Sequence, residues 1–223
     1  MAERAVFEDD KLIGEFAEEA IRAYFEASGF TMHRMGIEHL LPGTIDALHE
    51  DLLPDPRVAG HKDAMDQNLE LVARLRFLPD FLAISRDLNA RGVRDIFPVE
   101  VKFRTERDFS ADGLTLRTVR LSRKSVAAYR DLWPTTLLVV VCYRGRRIIG
   151  TRVRKLVEIP DGRVSIRDSL WRGSWFYSIR SCEFLELPRF RQGCFDADGA
   201  KVIVDEVITF AEEVRMSRDF DEI

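Results

Sequence analysis

Three charged residues near the middle of the chain have types and spacing that suit chemistry on a metal ion. Asp80 follows Pro79 at the head of a compact apolar run, Phe81 to Ile84, and Glu100 and Lys102 stand two apart inside a second run, Ile96 to Phe103. Residues two apart on a strand point to the same face. If the runs pair as a hairpin across the polar stretch Ser85 to Asp95, which contains Gly92, the Asp80 and Glu100 carboxylates converge. Two carboxylates suit a hard divalent cation such as Mg²⁺, with Mn²⁺ as a substitute, which completes its shell with waters and phosphate oxygens. Such an ion polarises a phosphodiester and makes a bound water nucleophilic near neutral pH. The Lys102 ammonium beside that water would orient it and offset developing negative charge.

The flanking sequence supplies elements to position these groups. Residues 9–28 read as an amphipathic helix, with Ile13, Phe16, Ala17, Ala20, Ile21 and Tyr24 at helical spacing and Gly29 where a cap belongs. A short strand, Phe30 to Met35, follows. Pro42, Gly43, Pro54, Pro56 and Gly60 break the pattern over 36–62, giving loop or short helices, and Asp63 to Leu75 reads as another helix. Leu114 to Leu121 alternates as an edge or half-buried strand does. Ser122 is placed as the N-cap of a helix to about Leu132, stopped by Pro134. Leu137 to Tyr143, LLVVVCY, is the most apolar run and reads as a central strand buried on both faces, with Arg147 to Val153 as its hairpin partner.

Beyond about residue 156 the text becomes a series of short strand-like pieces with turns at Asp161-Gly162 and Gly173. An acidic amphipathic helix, Ala200 to Met216, closes it. The expected organisation is an α/β domain with a mixed sheet flanked by helices over 1–155, then a β-rich extension and final helix over 156–223 packed on it.

Composition bounds the function. The chain has 223 residues, 46% hydrophobic and 32% charged, with no apolar run of the ~18–20 residues a membrane span requires. An acidic opening, Met1 to Asp10, is not that of a signal peptide. Three widely spaced cysteines, Cys142, Cys182 and Cys194, make neither a disulfide framework nor a zinc pattern, so reduced thiols in the cytoplasm are expected. The net charge of −4 hides a segregation. From Lys102 to Lys155 there are 14 Lys and Arg against 4 Asp and Glu, a local +10 set against −14 elsewhere. Such a surface suits a phosphate backbone, although a solvated face balanced by acidic helices accounts for the same numbers.

At Leu78-Pro79-Asp80-Phe81-Leu82-Ala83-Ile84 and Phe97-Pro98-Val99-Glu100-Val101-Lys102-Phe103 the sequence resembles the PD-(D/E)xK nuclease superfamily, which includes restriction enzymes and Holliday-junction resolvases. Gly14 and Glu18 in the first helix add the G-x-x-x-E spacing of the resolvase-like branch. The resemblance covers about residues 9–145. It implies a restriction-endonuclease-like core and metal-dependent hydrolysis of DNA, with Asp80, Glu100 and the Val101 carbonyl holding the ion. It also puts Glu18 on a metal or its water and Lys102 on the nucleophile. Pro54-Asp55 also spells PD, but Pro56 and the lack of a following strand remove it.

Plain alternatives stand beside each assignment. Glu100 and Lys102 would serve equally as an ion pair on a solvated sheet face, worth at most about 1 kcal/mol. Asp80 would serve as a turn residue, and Glu18 as one more helix charge beside Glu15 and Glu19. Arg144, Arg146 and Arg147, at a turn between two strands, would grip phosphates or merely solubilise a hairpin tip. Lys124 and Tyr129, on the helix after the hairpin, are further candidates to face substrate. Trp171 to Tyr177 suits core or dimer packing better than base stacking. His33 follows the first helix towards the site; His39, His49 and His61 lack ligand spacing. A homodimer would supply two sites for two DNA strands. A nuclease fold without activity, binding nucleic acid or a protein partner, is the rival reading.

Overall fold

The computed structural model describes residues 2–35, 77–104, 107–111, 114–157, 164–165, 176–180, 184–190 and 195–221. The expected irregular segment at 36–62, the helix at 63–75, the turns at Asp161-Gly162 and Gly173, Trp171, Trp175, Cys182 and Cys194 lie outside them.

Helix α1 (Ala2–Ala27) buries Ile13, Ala17, Ala20, Ile21, Tyr24 and Phe25, one stripe at helical spacing. It begins seven residues earlier than the apolar periodicity marks, because Ala2 to Asp10 is rich in good helix formers although it carries no stripe. Gly29, with φ +88°, turns the chain out of the helix as its C-terminal cap. Strand β1 (Phe30–Arg34) follows directly.

The main sheet has six strands in the order β1, β2 (Phe81–Leu88), β3 (Arg94–Arg104), β6 (Leu137–Cys142), β7 (Arg147–Arg152) and β10 (Leu185–Glu186). Among the described residues of this sheet, β3 and β6 run parallel and every other neighbouring pair is antiparallel. The mixed sheet expected from the sequence is thus present. The return from β3 to its parallel neighbour uses β4 (Arg107–Ala111), β5 (Leu114–Ser122) and helix α2 (Arg123–Leu132). Ser122 is the N-cap of α2, its hydroxyl accepting the Ser125 amide at 3.4 Å.

Strand β6 shows why the core has two halves. Val139 and Val141 face one apolar cluster with α1, while Leu138, Val140 and Cys142 face a second with α2 and β5. All six residues are buried, so the strand reads as an unbroken apolar run. Helix α5 (Ala197–Asp221) lies on the α1 side and adds Val204, Val207, Ile208 and Ala211 to that cluster. Phe16 stacks on Phe210 at 4.2 Å, and the Tyr24 hydroxyl donates to the Asp196 carbonyl at 2.6 Å.

On the opposite face a second sheet joins two strands of the expected β-rich extension to β4 and β5, in the order β4, β5, β9 (Phe176–Arg180) and β8 (Val164–Ser165). Strand β5 is therefore not an edge: it lies between β4 and β9, and Val119 and Leu121 are buried with Ile179. Two short helices complete the described connections: α3 (Val153–Val157) adds Val153 and Leu156 to the cluster on this face, and α4 (Leu187–Phe190) adds Leu187 to the α1-side cluster. Residues after 156 complete both sheets and the α1 layer. No helix among the described residues is long and apolar enough to cross a membrane.

Candidate active site

The β2–β3 ladder ends at the pair Phe81↔Val99. Both side chains belong to the α1-side core, so their neighbours Asp80 and Glu100 turn to the other face. Beyond the last pair the Asp80 carboxylate takes over, with Oδ2 accepting the Val101 amide at 2.7 Å. The Asp80 carbonyl in turn accepts the Met35 amide at 2.9 Å, which ties it to the end of β1. Asp80 is thus fixed from both sides. Amide and carbonyl of one strand residue face the same edge, so the Val101 carbonyl also faces the gap that Asp80 spans.

Glu100 Oε1 is ion-paired with Lys102 Nζ, and the pair is asymmetric: the glutamate side chain is 3% exposed and the lysine 27%. Glu100 Oε2 is buried with no hydrogen-bond partner. A buried carboxylate oxygen without a donor is costly, and this one lies where Asp80 brings a second carboxylate. Burial pushes the Asp80 carboxyl well above the usual carboxylate range. Glu100 and, more weakly, Glu18 push it further, while Lys102 and the Val101 amide pull it back. For Lys102, burial works against the ammonium, but Glu100 and Asp80 outweigh it and the proton is held more tightly than usual.

Helix α2 roofs this face. Tyr129, 7% exposed, turns its phenol towards Glu100. Burial first, then the Glu100 charge and a hydrogen bond to the Glu100 carboxylate, raise its pKa and keep it protonated, while Oε2 itself is left without a partner. Glu100, Lys102, Arg104, Ser122, Ser125 and Tyr129 are among the residues around a cavity of about 30 Å³, partly open to solvent. That is room for a water or two.

The sequence candidates fall into distinct places. Asp80, Glu100, Lys102 and Val101 come together as described. Glu18 lies on α1, with Oε2 4.0 Å from Arg34 Nη1, and Arg34 also pairs with Glu19. It reaches the site through its field, not as a third converging carboxylate. Among the described residues no group of three or more His, Cys, Asp and Glu side chains closes to metal-ligand distance. His33 is exposed on β1 opposite Leu82.

Lys124 lies in the first turn of α2. Arg144 and Arg146 occupy the β6–β7 turn, but Arg147 already opens β7. Arg146, with φ +44°, is held to Asp205 of α5 at 3.0 Å. Its guanidinium is thus tied to the far helix and not presented alone to solvent. Arg104 was missed among the candidates, although it continues the alternation that pairs Glu100 with Lys102.

No protein-family model matches the chain, and no curated protein matches it. Among solved structures it is similar to D212, a nuclease from a fusselovirus, at 9% identity and a TM-score of 0.33. That match covers 78% of this chain and 93% of the other. A likeness so distant carries no weight for fold or function.

The donor set suits a hard cation. Glu100 pairs with the Lys102 ammonium, whose charge Asp80 also favours, one buried oxygen lacks a partner, and a backbone carbonyl faces the same gap.

Proposed function

We propose that this chain is a Mg²⁺-dependent endonuclease of the PD-(D/E)xK kind that hydrolyses DNA phosphodiester bonds, with Mn²⁺ able to replace Mg²⁺. The observation that carries the reading is the buried, unpartnered Glu100 Oε2 beside Asp80, just past the end of the β2–β3 ladder, where the Asp80 side chain takes over the bonding. Asp80, Glu100 and the Val101 carbonyl would hold the ion, with Glu18 acting from outside the ligand set. When bound, the ion supplies Lewis-acid polarisation of the phosphodiester and a water of lowered pKa.

The protein's own groups do the rest. Lys102, tied to Glu100 and the more exposed of the two, lines the same cavity, where its ammonium would orient the attacking water and offset charge on the phosphoryl oxygens. Its raised pKa keeps it charged throughout the neutral range. The small, partly open cavity admits water but not a nucleotide, so the strand lies across its mouth. The basic stretch from Lys102 to Lys155 holds the backbone, and a homodimer would bring two sites to two strands.

The test is incubation of the purified protein with supercoiled plasmid, linear duplex, single strands, branched DNA and RNA, each with Mg²⁺, Mn²⁺ or EDTA. Metal-dependent cutting of DNA is expected, and plasmid products separate nicking from double-strand cleavage. Binding to DNA with no cleavage of any substrate would overturn the catalytic reading in favour of a nucleic-acid-binding module.

A further inference from the structure

We propose that Arg104 grips the phosphate next to the scissile one on the bound strand. The inference rests on the nuclease reading and extends it to how the substrate backbone is laid out. Strand alternation places Glu100, Lys102 and Arg104 in a column on one face of β3, and all three line the same cavity. Two residues along a strand span about 6.6 Å, comparable to the separation of neighbouring phosphates on an extended nucleic-acid strand. A strand whose reacting phosphate sits at Lys102 therefore brings the next phosphate to Arg104.

Among the described residues the arginine finds little to satisfy its five donors. It is half-buried, and its Nη1 donates to the carbonyl of Phe103, its own neighbour, at 2.7 Å. Glu100 and Asp10 favour its charge from a distance, but among the described residues no carboxylate lies within ion-pair reach of it. A guanidinium has five donors in a planar fork matched to phosphate oxygens. Burial that makes it a poorly solvated cation also makes an incoming phosphate worth more. Arg104 is also fixed lengthwise, since its carbonyl accepts the Tyr143 amide at 3.0 Å. The column is thus pinned to β6 at its outer end.

The experiment uses a cleavable DNA oligonucleotide with a single neutral methylphosphonate placed on one side or the other of the scissile phosphate. Wild-type protein is expected to lose roughly tenfold or more in kcat/KM when one flank is neutralised, and little when the other is. Arg104→Gln should show that loss on unmodified DNA, chiefly in KM, and be indifferent to both neutral flanks. Its salt dependence should fall by about one charge. Arg104→Lys, which keeps the charge and the stem, should recover part of the loss. Wild-type cleavage indifferent to both flanks, or Arg104→Gln retaining the wild-type pattern, would overturn the assignment and leave the nuclease reading standing. Absence of cleavage by the wild type on unmodified DNA would remove both.

Discussion

The Asp80 carboxylate accepts the Val101 amide at 2.7 Å, two residues past the last ladder pair between β2 and β3. A side chain thus does the work of a strand there. Glu100, between the pair's partner Val99 and Val101, is carried to the same face as Asp80. The carboxylate pair is a product of where the ladder stops.

Asp80 carries a cost that pH should reveal in metal-free protein. Its folded-state pKa is raised, chiefly by burial and then by Glu100. Below the ordinary carboxylate pKa, folded and unfolded chains both hold the proton and no penalty arises. As pH rises above it, the unfolded chain releases a proton that the folded one retains, so stability falls until the folded pKa is passed. Asp80→Asn keeps an acceptor for Val101 and removes the titration. In EDTA it should match the wild type at about pH 3.5 and exceed it at about pH 8, as read by urea midpoints. A variant less stable than wild type at both would contradict this.

Metal should stabilise what it binds. At a concentration a hundred times Kd, Mn²⁺ should add about 2.7 kcal/mol, or about 5 to 10 °C in Tm. Glu100→Gln should lose most of that gain, because Oε2 is the buried oxygen left for the ion. Equal thermal shifts in both proteins would place the metal elsewhere.

These groups were legible because strands have period two. Asp80 before an apolar run, and Glu100 and Lys102 inside another, needed only a hairpin to meet, and the turn at 89–93 supplied it. Ser122, Gly29 and the β6 run were equally legible, each resting on local chemistry. What escaped depended on contacts distant in sequence. Strand β5 read as an edge or half-buried strand, and its alternation is that of a half-buried one; its second neighbour, β9, was not legible because it lies some sixty residues on. Strand β4 carries charge at Arg107 and Asp108 and shows no apolar alternation to mark it. The Arg146–Asp205 pair joins a turn to a helix that nothing in either segment announces. Arg104 was within reach of the same alternation argument, extended by one more step along β3.

The helix over the site depends on its cap. Ser122→Ala removes the acceptor for the Ser125 amide. At 3.4 Å that bond is long, so the cost should be about 1 kcal/mol or less, measured by chemical denaturation. A loss of several kcal/mol would mean Ser122 does more than cap.

Helix α5 is part of the core. Ile208 is 1% exposed against α1, and Val202 on the same helix is 55% exposed. Ile208→Ala should cost about 2 to 5 kcal/mol and Val202→Ala within about 0.5 kcal/mol of nothing. Similar small effects for both would detach α5 from the fold.

The most direct test is the single-turnover cleavage rate of a labelled DNA duplex by wild-type protein, Asp80→Ala and Lys102→Ala, in Mg²⁺ and in EDTA. Circular dichroism would verify that each variant is folded. Cleavage by the wild type in Mg²⁺ alone, with both folded variants slowed by at least about 100-fold, is the result predicted. Cleavage that persists in both variants would mean that the chemistry does not reside at Asp80, Glu100 and Lys102.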